Sequence, residues 1–381
     1  MSNKVILYLT GLMLFSVPVE AQWFSDVIDF LTVHPNKKAV AQDSTLYPDK
    51  LILTPVLTYT PETSLAAGLG AKYLFKFNGS GEDTRTSNMP ISFTYTLNNQ
   101  VELQSGYDVF FQDEKYLLSG NLELRVFPRF YYGVGRNTPE SNEESYSFSQ
   151  VLASPLIQKN IIVPYLFAGG GIRYNQVGNF EYEADSQLRA GNVTGSSGSR
   201  SLGAEFAITY DDRDNILNAL SGWYARVSFG FYRAWMGSTQ NFERGRIDIR
   251  KYIPLNNKKH ILAFQLKSDF SFGNVPLVEL AALGGDQIMR GYYQGRYLDN
   301  HLLALQAEYR FTVYKRIGGV VFAGLGDVSP TLRGFELGNF RPSFGLGLRI
   351  LIEKKENLNL RFDYGFGRKT SNSYFKVAEA F

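Results

Sequence analysis

The chain has 381 residues, with 39 Lys and Arg against 36 Asp and Glu, and a formal net charge of +3. That imbalance is too small to mark a nucleic-acid partner. The complete lack of cysteine excludes disulfides, thiolate metal sites, a cysteine nucleophile and a lipoprotein anchor. Aromatic residues are 15% of the chain, with 24 Tyr, 29 Phe and 36 Gly, yet mean hydropathy is only −0.18. This combination argues against a helical membrane protein. It suits a membrane β-barrel, whose alternating strands hide their apolar face from an average.

Residues 1–21 read as a secretory leader. Lys4 supplies the charge, Val5–Val17 the apolar run and Val19-Glu20-Ala21 the cleavage site before Gln22. The apolar run is too short for a membrane-spanning helix. Residues 22–50 read as a tail, in which Trp23, Val27, Phe30 and Leu31 recur at helical spacing beside Asp26 and Asp29. A short amphipathic helix at the membrane surface or in a lumen fits this spacing, as does a loosely ordered tail. The tail is too short for a domain, since segments below about 40 residues rarely fold alone. Residues 51–63 hold LILTPVLTYT and then Pro61-Glu62. We read them as a pre-barrel segment; the alternative is an additional wall strand.

From Ser64 onward a period of two dominates, the mark of strands with unlike faces. Over Ser64–Phe77, Leu65, Leu69, Tyr73, Phe75 and Phe77 share one face, and Gly68, Gly70, Lys72 and Lys76 the other. Trp223, Ala225, Val227 and Phe229 oppose Tyr224, Arg226 and Ser228. Leu262, Phe264 and Leu266 oppose Gln265, Lys267 and Asp269, and Leu303, Leu305 and Tyr309 oppose Gln306, Glu308 and Arg310. In Leu358–Arg368, Leu360, Phe362, Tyr364 and Phe366 oppose Arg361, Asp363, Gly365 and Gly367. A soluble sandwich would turn its charges outward. Here the charged face also carries Gly and Tyr, and the apolar face is continuous and aromatic, as on the lipid side of a membrane barrel.

Short turns are expected at Leu97–Gln100, Phe127–Arg129, Pro254–His260, Tyr314–Gly318 and Glu353–Asn357. Longer loops are expected at Asn78–Asn88, Arg136–Ser145, Gly178–Arg200, Asn274–Asn300 and Val328–Phe340. Outer-membrane barrels put short turns in the periplasm and long loops outside. The expected fold is therefore all-β: a transmembrane antiparallel barrel of about 16 strands over residues 64–381, with both ends periplasmic. Tyr374–Phe381 is its last strand. Glu379 shares the parity of Phe375, Val377 and Phe381, which suits a place at the periplasmic rim.

The loop Asn274–Asn300 reads NVPLVELAALGGDQIMRGYYQGRYLDN. The strand count puts it after the eleventh strand. Its Arg290-Gly291-Tyr292, preceded by Gly284-Gly285, resembles the signature loop of the BamA/TamA family of outer-membrane assembly factors, also called bacterial surface antigen barrels. Tyr210–Asn215 with Gly222-Trp223, Leu305–Phe311 and Phe344–Gly367 resemble further stretches of that family. The resemblance implies an extracellular loop folded into the lumen, with Arg290 at its tip and Glu308 of the twelfth strand as its anchor. Planar guanidinium suits a carboxylate in a narrow lumen, and Gly291 permits a tight turn. The chain departs from the pattern where the family usually has a second acid on the thirteenth strand: Gly324 stands there, with Asp327 on the opposite parity. The family's periplasmic POTRA repeats have no counterpart either, so the resemblance is to a barrel-only member.

The resemblance implies a seam between the first and last strands that opens to lipid, with Gly68, Gly70, Tyr374 and Phe381 on the two seam strands. The expected role is assistance to protein or lipid insertion or export at the outer membrane of a Gram-negative bacterium. The expected partners are outer-membrane lipid, client proteins and a periplasmic partner, and no enzyme activity or cofactor is implied. A passive or structural barrel is the alternative, with Arg226, Arg244, Arg246, Arg250, Arg349 and Arg361 lining the lumen among Asp248, Asp269 and Asp363. A hydrolase would need a histidine in a triad. His34, His260 and His301 fall in the tail, at a turn and at a loop edge, with no nucleophile motif.

Overall fold

The computed structural model describes residues 47–60, 64–81, 84–183, 185–255, 259–353 and 357–381, with 32, 33 and 35. The leader 1–21 and the spacing of Trp23, Val27, Phe30 and Leu31 lie outside the described residues. Sixteen antiparallel strands close into a barrel. In chain order they are β1 Lys50–Thr60, β2 Ser64–Phe75, β3 Ser87–Thr96, β4 Val101–Phe110 and β5 Tyr116–Tyr131. β6 is one wall strand in two parts, Glu144–Ala153 and Leu156–Asn160, both lying between β5 and β7. The wall continues with β7 Leu166–Tyr182, β8 Ser199–Asp211, β9 Gly222–Tyr232, β10 Phe242–Leu255 and β11 His260–Gly273. It ends with β12 His301–Tyr314, β13 Ile317–Ser329, β14 Arg341–Glu353, β15 Leu358–Gly367 and β16 Thr370–Val377.

Alternation decides which face is which. On β15, Phe362, Tyr364 and Phe366 are exposed on the outside, while Arg361 and Asp363 are buried within. Leu69, Phe344 and Leu346 belong to the same apolar exterior. An exterior of this kind is stable only against lipid, because large exposed apolar patches are rare on soluble monomers.

Three expectations are corrected. First, residues 51–60 of the expected pre-barrel segment 51–63 are wall: β1 pairs with β2 from Lys50↔Leu74 to Thr60↔Ser64 and meets β16 at Tyr59↔Phe375, while 61–63 lie outside the described residues. The total of sixteen thus includes β1, and Ser64–Phe75 is the second strand. The inner positions Ile52 and Val56 of β1 are apolar and line the lumenal cavity, so β1 lacks the charged face that marks the other strands. Within the tail, Thr32–Val33 pairs with Ile52 and Leu51 on β1.

Second, chain parity puts Leu97–Gln100 at the same end as 132–143, 183–198 and 274–300, which we call the loop end. Asn78–Asn88 falls at the opposite, turn end, where Arg85 reaches Asp211 at 3.2 Å. Phe127–Arg129 is no turn but lies inside β5. β4 pairs with β5 only as far as Val126. Pro128 therefore sits where one edge of β5 is open, a position at which a missing N–H breaks no ladder.

Third, the wall ends at Val377. Ala378 has φ 76°, and the chain leaves the ladder there. Glu379 lies at the turn end but does not follow the outward parity of Phe375 and Val377: it turns inward to Arg349 at 2.8 Å and to Asn359 at 2.7 Å. Phe381 packs with Ala219, Tyr252, Ile261 and Ala263, and Arg310 donates to its carbonyl at 2.9 Å.

Candidate functional site

The loop 274–300 crosses the lumen and is held at both sides. Its first arm is seated by Val275, Leu277 and Leu280, which pack with Phe148, Val177, Tyr232 and Phe242. Between them Glu279 is fully buried. It accepts from Arg173 at 2.7 Å and Asn175 at 2.6 Å on β7, and from Arg244 at 2.8 Å on β10. Burial by itself would raise this carboxyl's pKa. The guanidinium groups of Arg173 and Arg244 outweigh that and hold it at about 2.

A small hairpin, Ala281–Leu283 against Tyr297–Asp299, carries the tip inward. Gly284 has φ 107°, and a Cβ there would lie 2.1 Å from the Tyr293 carbonyl oxygen, so only glycine fits the turn. Gly285 donates from its backbone to Tyr292 at 3.1 Å, closing the tip on itself. Asp286 takes Arg361 and Lys376, each at 3.1 Å. Burial would again raise its pKa, but Lys376 and Arg361 hold it at about 2.

Arg290 is fully enclosed. It donates to Glu308 on β12 and, at 2.5 Å, to Asp363 on β15, while its guanidinium lies 3.6 Å from the centre of the Phe322 ring on β13. Two carboxylates and an aromatic face replace the water that a buried cation loses. The next residues press against β15 and β16. Gly291 has φ 108°, and a Cβ on it would come 2.5 Å from the Phe366 carbonyl carbon. Its N–H donates to the Tyr374 hydroxyl at 3.0 Å, and its carbonyl accepts from Asn372 at 2.8 Å. The Tyr292 hydroxyl donates to the Pro342 carbonyl at 2.8 Å and accepts from the Arg368 N–H at 2.8 Å.

The loop residues Arg290, Gly291, Tyr292, Gly284 and Gly285 and the β12 residue Glu308 thus come together. The second anchor is Asp363, two strands beyond the place where an acid was sought at Gly324. Its inward parity on β15 was visible in the alternation, but pairing across the lumen was not. Asp327 instead binds Arg341 at 3.0 Å and Arg136 at 3.1 Å. Asp363 also takes Arg349 at 2.5 Å and Arg361 at 3.7 Å, Arg310 takes Glu308 at 2.7 Å and Arg349 takes Glu379, so one network joins Arg290, Arg310, Arg349 and Arg361 to Glu308, Asp363 and Glu379 and, through Arg361, to Asp286.

The expected seam residues are placed differently. Gly68 and Gly70 lie on β2, one strand away from the β1–β16 seam, and a Cβ on Gly68 would meet the Phe93 carbonyl oxygen at 1.9 Å. Gly68 therefore serves the close approach of β2 and β3. Tyr374 is on the seam strand but points inward to the loop tip, and Phe381 is off the wall. Beside the loop a cavity of about 810 Å3 remains, lined by β1–β5 and by Arg125, Arg244, Lys267 and Lys376. Of the histidines, His34 lies outside the described residues. His260 bonds Tyr309 at 2.6 Å at the turn end, and the His301 ring lies tilted against Phe272 at the loop end. No cluster of metal-ligating side chains occurs among the described residues.

A sixteen-strand barrel whose long loop between β11 and β12 is latched inside to its own wall defines a class of outer-membrane barrel. Residues 67–381 match the Omp85 superfamily domain, and the chain belongs to that superfamily. Among solved structures, its fold resembles BamA from Haemophilus ducreyi lacking POTRA domains 1–3. That match has a TM-score of 0.55 and 13% identity, and covers 86% of this chain and 70% of the other. It also resembles CdiB from Acinetobacter baumannii (TM-score 0.55, 10% identity, 87% of this chain and 59% of the other) and CdiB from Escherichia coli (TM-score 0.56, 10% identity, 86% and 62%). The chain thus spans less than two thirds of either CdiB. Among curated proteins no sequence matches.

Proposed function

We propose that the protein assists insertion or export of other proteins, or of lipid, at the outer membrane of a Gram-negative bacterium. Its partners in this reading are outer-membrane lipid, client chains and a separate periplasmic protein. The observation that carries the reading is the seam: β16 meets β1 through the single pair Tyr59↔Phe375, whereas β15 pairs with β16 from Leu360↔Val377 to Gly367↔Thr370. A wall held so lightly at one place opens there first, and a strand edge left open pairs with an incoming strand. The loop latch supports the reading. Arg290, Asp286 and Gly291 tie β12, β15 and β16 together beside the seam, so the barrel keeps its shape while β1 separates. Strand exchange makes and breaks no covalent bond, so the role needs neither catalytic residue nor cofactor. Depletion of the protein is expected to lower outer-membrane protein levels or surface export; unchanged levels of both overturn the proposal.

The cavity of about 810 Å3 favours a second reading, a passive pore. Planar-bilayer recordings that show no current with the loop in place remove it.

A further inference from the structure

A second cavity, of about 140 Å3, lies at the turn end among the β10–β11, β12–β13 and β14–β15 connections and the tail after β16. Lys259, Arg310, Lys315, Arg316 and Arg349 line it, and Glu379 is the one carboxylate among its described lining residues. Among the described residues the charges do not cancel. Arg290, Arg310 and Arg349 are matched by Glu308, Asp363 and Glu379 in the latch network. That leaves Lys259, Lys315 and Arg316, none of which has an ion-pair partner among the described residues. Two guanidinium donors are also unmet: Nη2 of Arg349, whose side chain is only 5% exposed, and Nε of Arg316 are buried without a hydrogen-bond partner. An unmet buried donor is costly, and a charged one more so.

We propose that this pocket binds a single oxyanion, a phosphate or a carboxylate group. Arginine forks match both in geometry, and the two lysines add point charge at the mouth. The cavity is well below the roughly 300 Å3 of sites that enclose drug-sized ligands, so one anionic group enters rather than a large molecule. The site lies behind the loop latch. Arg310 shares Glu308 with Arg290, and Arg349 shares Asp363 with it. An oxyanion facing Arg310 and Arg349 takes up part of their charge and leaves both carboxylates more fully to Arg290, so occupancy tightens the loop. The inference is independent of the assembly reading, because it rests on the pocket alone.

The oxyanion has two sources, free phosphate or the carboxylate at the end of a peptide chain. Isothermal titration of the whole barrel in detergent, at ionic strength matched with sodium chloride, separates them. The probes are inorganic phosphate, a short peptide ending in a free carboxylate, and its amidated twin. One saturable site is expected. Arg316→Ala and Lys259→Ala, both at the mouth, should each weaken binding at least about tenfold, the loss typical of one charged donor. Folding of the variants is checked by their heat-modifiable electrophoretic mobility. Binding of phosphate but neither peptide assigns the free anion. Binding of the free-carboxylate peptide but not its amidated twin assigns a chain terminus. No saturable binding of phosphate or the free-carboxylate peptide, or affinity unchanged in both folded variants, overturns the site.

Discussion

Arg290 joins the loop tip to two strands through two carboxylates. It is fully buried between Glu308 and Asp363, and removing it takes from each carboxylate its loop partner, leaving Glu308 to Arg310 and Asp363 to Arg349. Breaking a buried pair from one side costs about 3–5 kcal/mol where the remaining charge is left unpaired, and less here, where Arg310 and Arg349 stay on the two carboxylates. Arg290→Ala is therefore expected to lower the unfolding temperature of the detergent-solubilised barrel clearly, with Arg290→Lys recovering only part because it lacks the fork. Equal melting of Arg290→Ala and wild type would show that the latch holds nothing. Gly291→Ala is expected to undock the tip without any change of charge, since φ 108° and the 2.5 Å approach to β15 both exclude a Cβ. Protection of the loop from added protease reads that loss. The loop carboxyls also set an acid limit. Glu279 and Asp286 are depressed to about 2, so their anchoring is complete above the ordinary carboxyl range of about 4. It disappears as pH falls through about 2. Protease protection of the loop should persist at pH 5 and fade between about pH 4 and pH 2; a loss already complete at pH 5 would contradict it.

At the scale of elements, the first and last strands were the hardest to read. The alternation of β15 was plain because Arg361 and Asp363 face in while Phe362 and Tyr364 face out. β1 offers no such contrast: Ile52 and Val56 face the lumen, and Leu53 and Leu57 face out. Only its pairing along the whole of β2 shows it to be wall. β16 misled in the opposite way. The parity of Phe375, Val377 and Phe381 continues on paper past the point where the backbone turns, because Ala378 breaks the ladder and Arg349 draws Glu379 inside. The seam they form can be locked. Tyr59→Cys with Phe375→Cys places two thiols on directly opposed residues, and an oxidised crosslink is expected to form readily. Under the assembly proposal, the crosslinked barrel should fail to restore outer-membrane protein levels in depleted cells, and reduction should restore them. Full activity of the crosslinked form would show that the seam does not open.

At the scale of the whole molecule, the loop 274–300 divides the lumen. Its first arm packs against β6–β10 and its tip against β12–β16, which leaves the cavity of about 810 Å3 beside β1–β5. Deleting the loop should therefore raise single-channel conductance in planar bilayers well above that of the intact barrel. Equal conductance would mean that the loop does not occlude the lumen.

What followed from sequence alone was the class of the protein: strands of period two with charge inward and a long loop bearing Arg290-Gly291-Tyr292. These follow from local rules, since each strand's two faces are written in neighbouring residues. The count near sixteen agreed only because omitting β1 offset the extra turn placed at Phe127–Arg129 inside β5. Packing across the lumen, in contrast, set which strand closes the barrel, that Asp363 rather than a residue near Gly324 completes the latch, and that Glu379 and Phe381 fold within. Those outcomes depend on which groups face each other across the lumen. A buried charge selects its partner by reach and by the water both must lose, and neither is recorded along the chain.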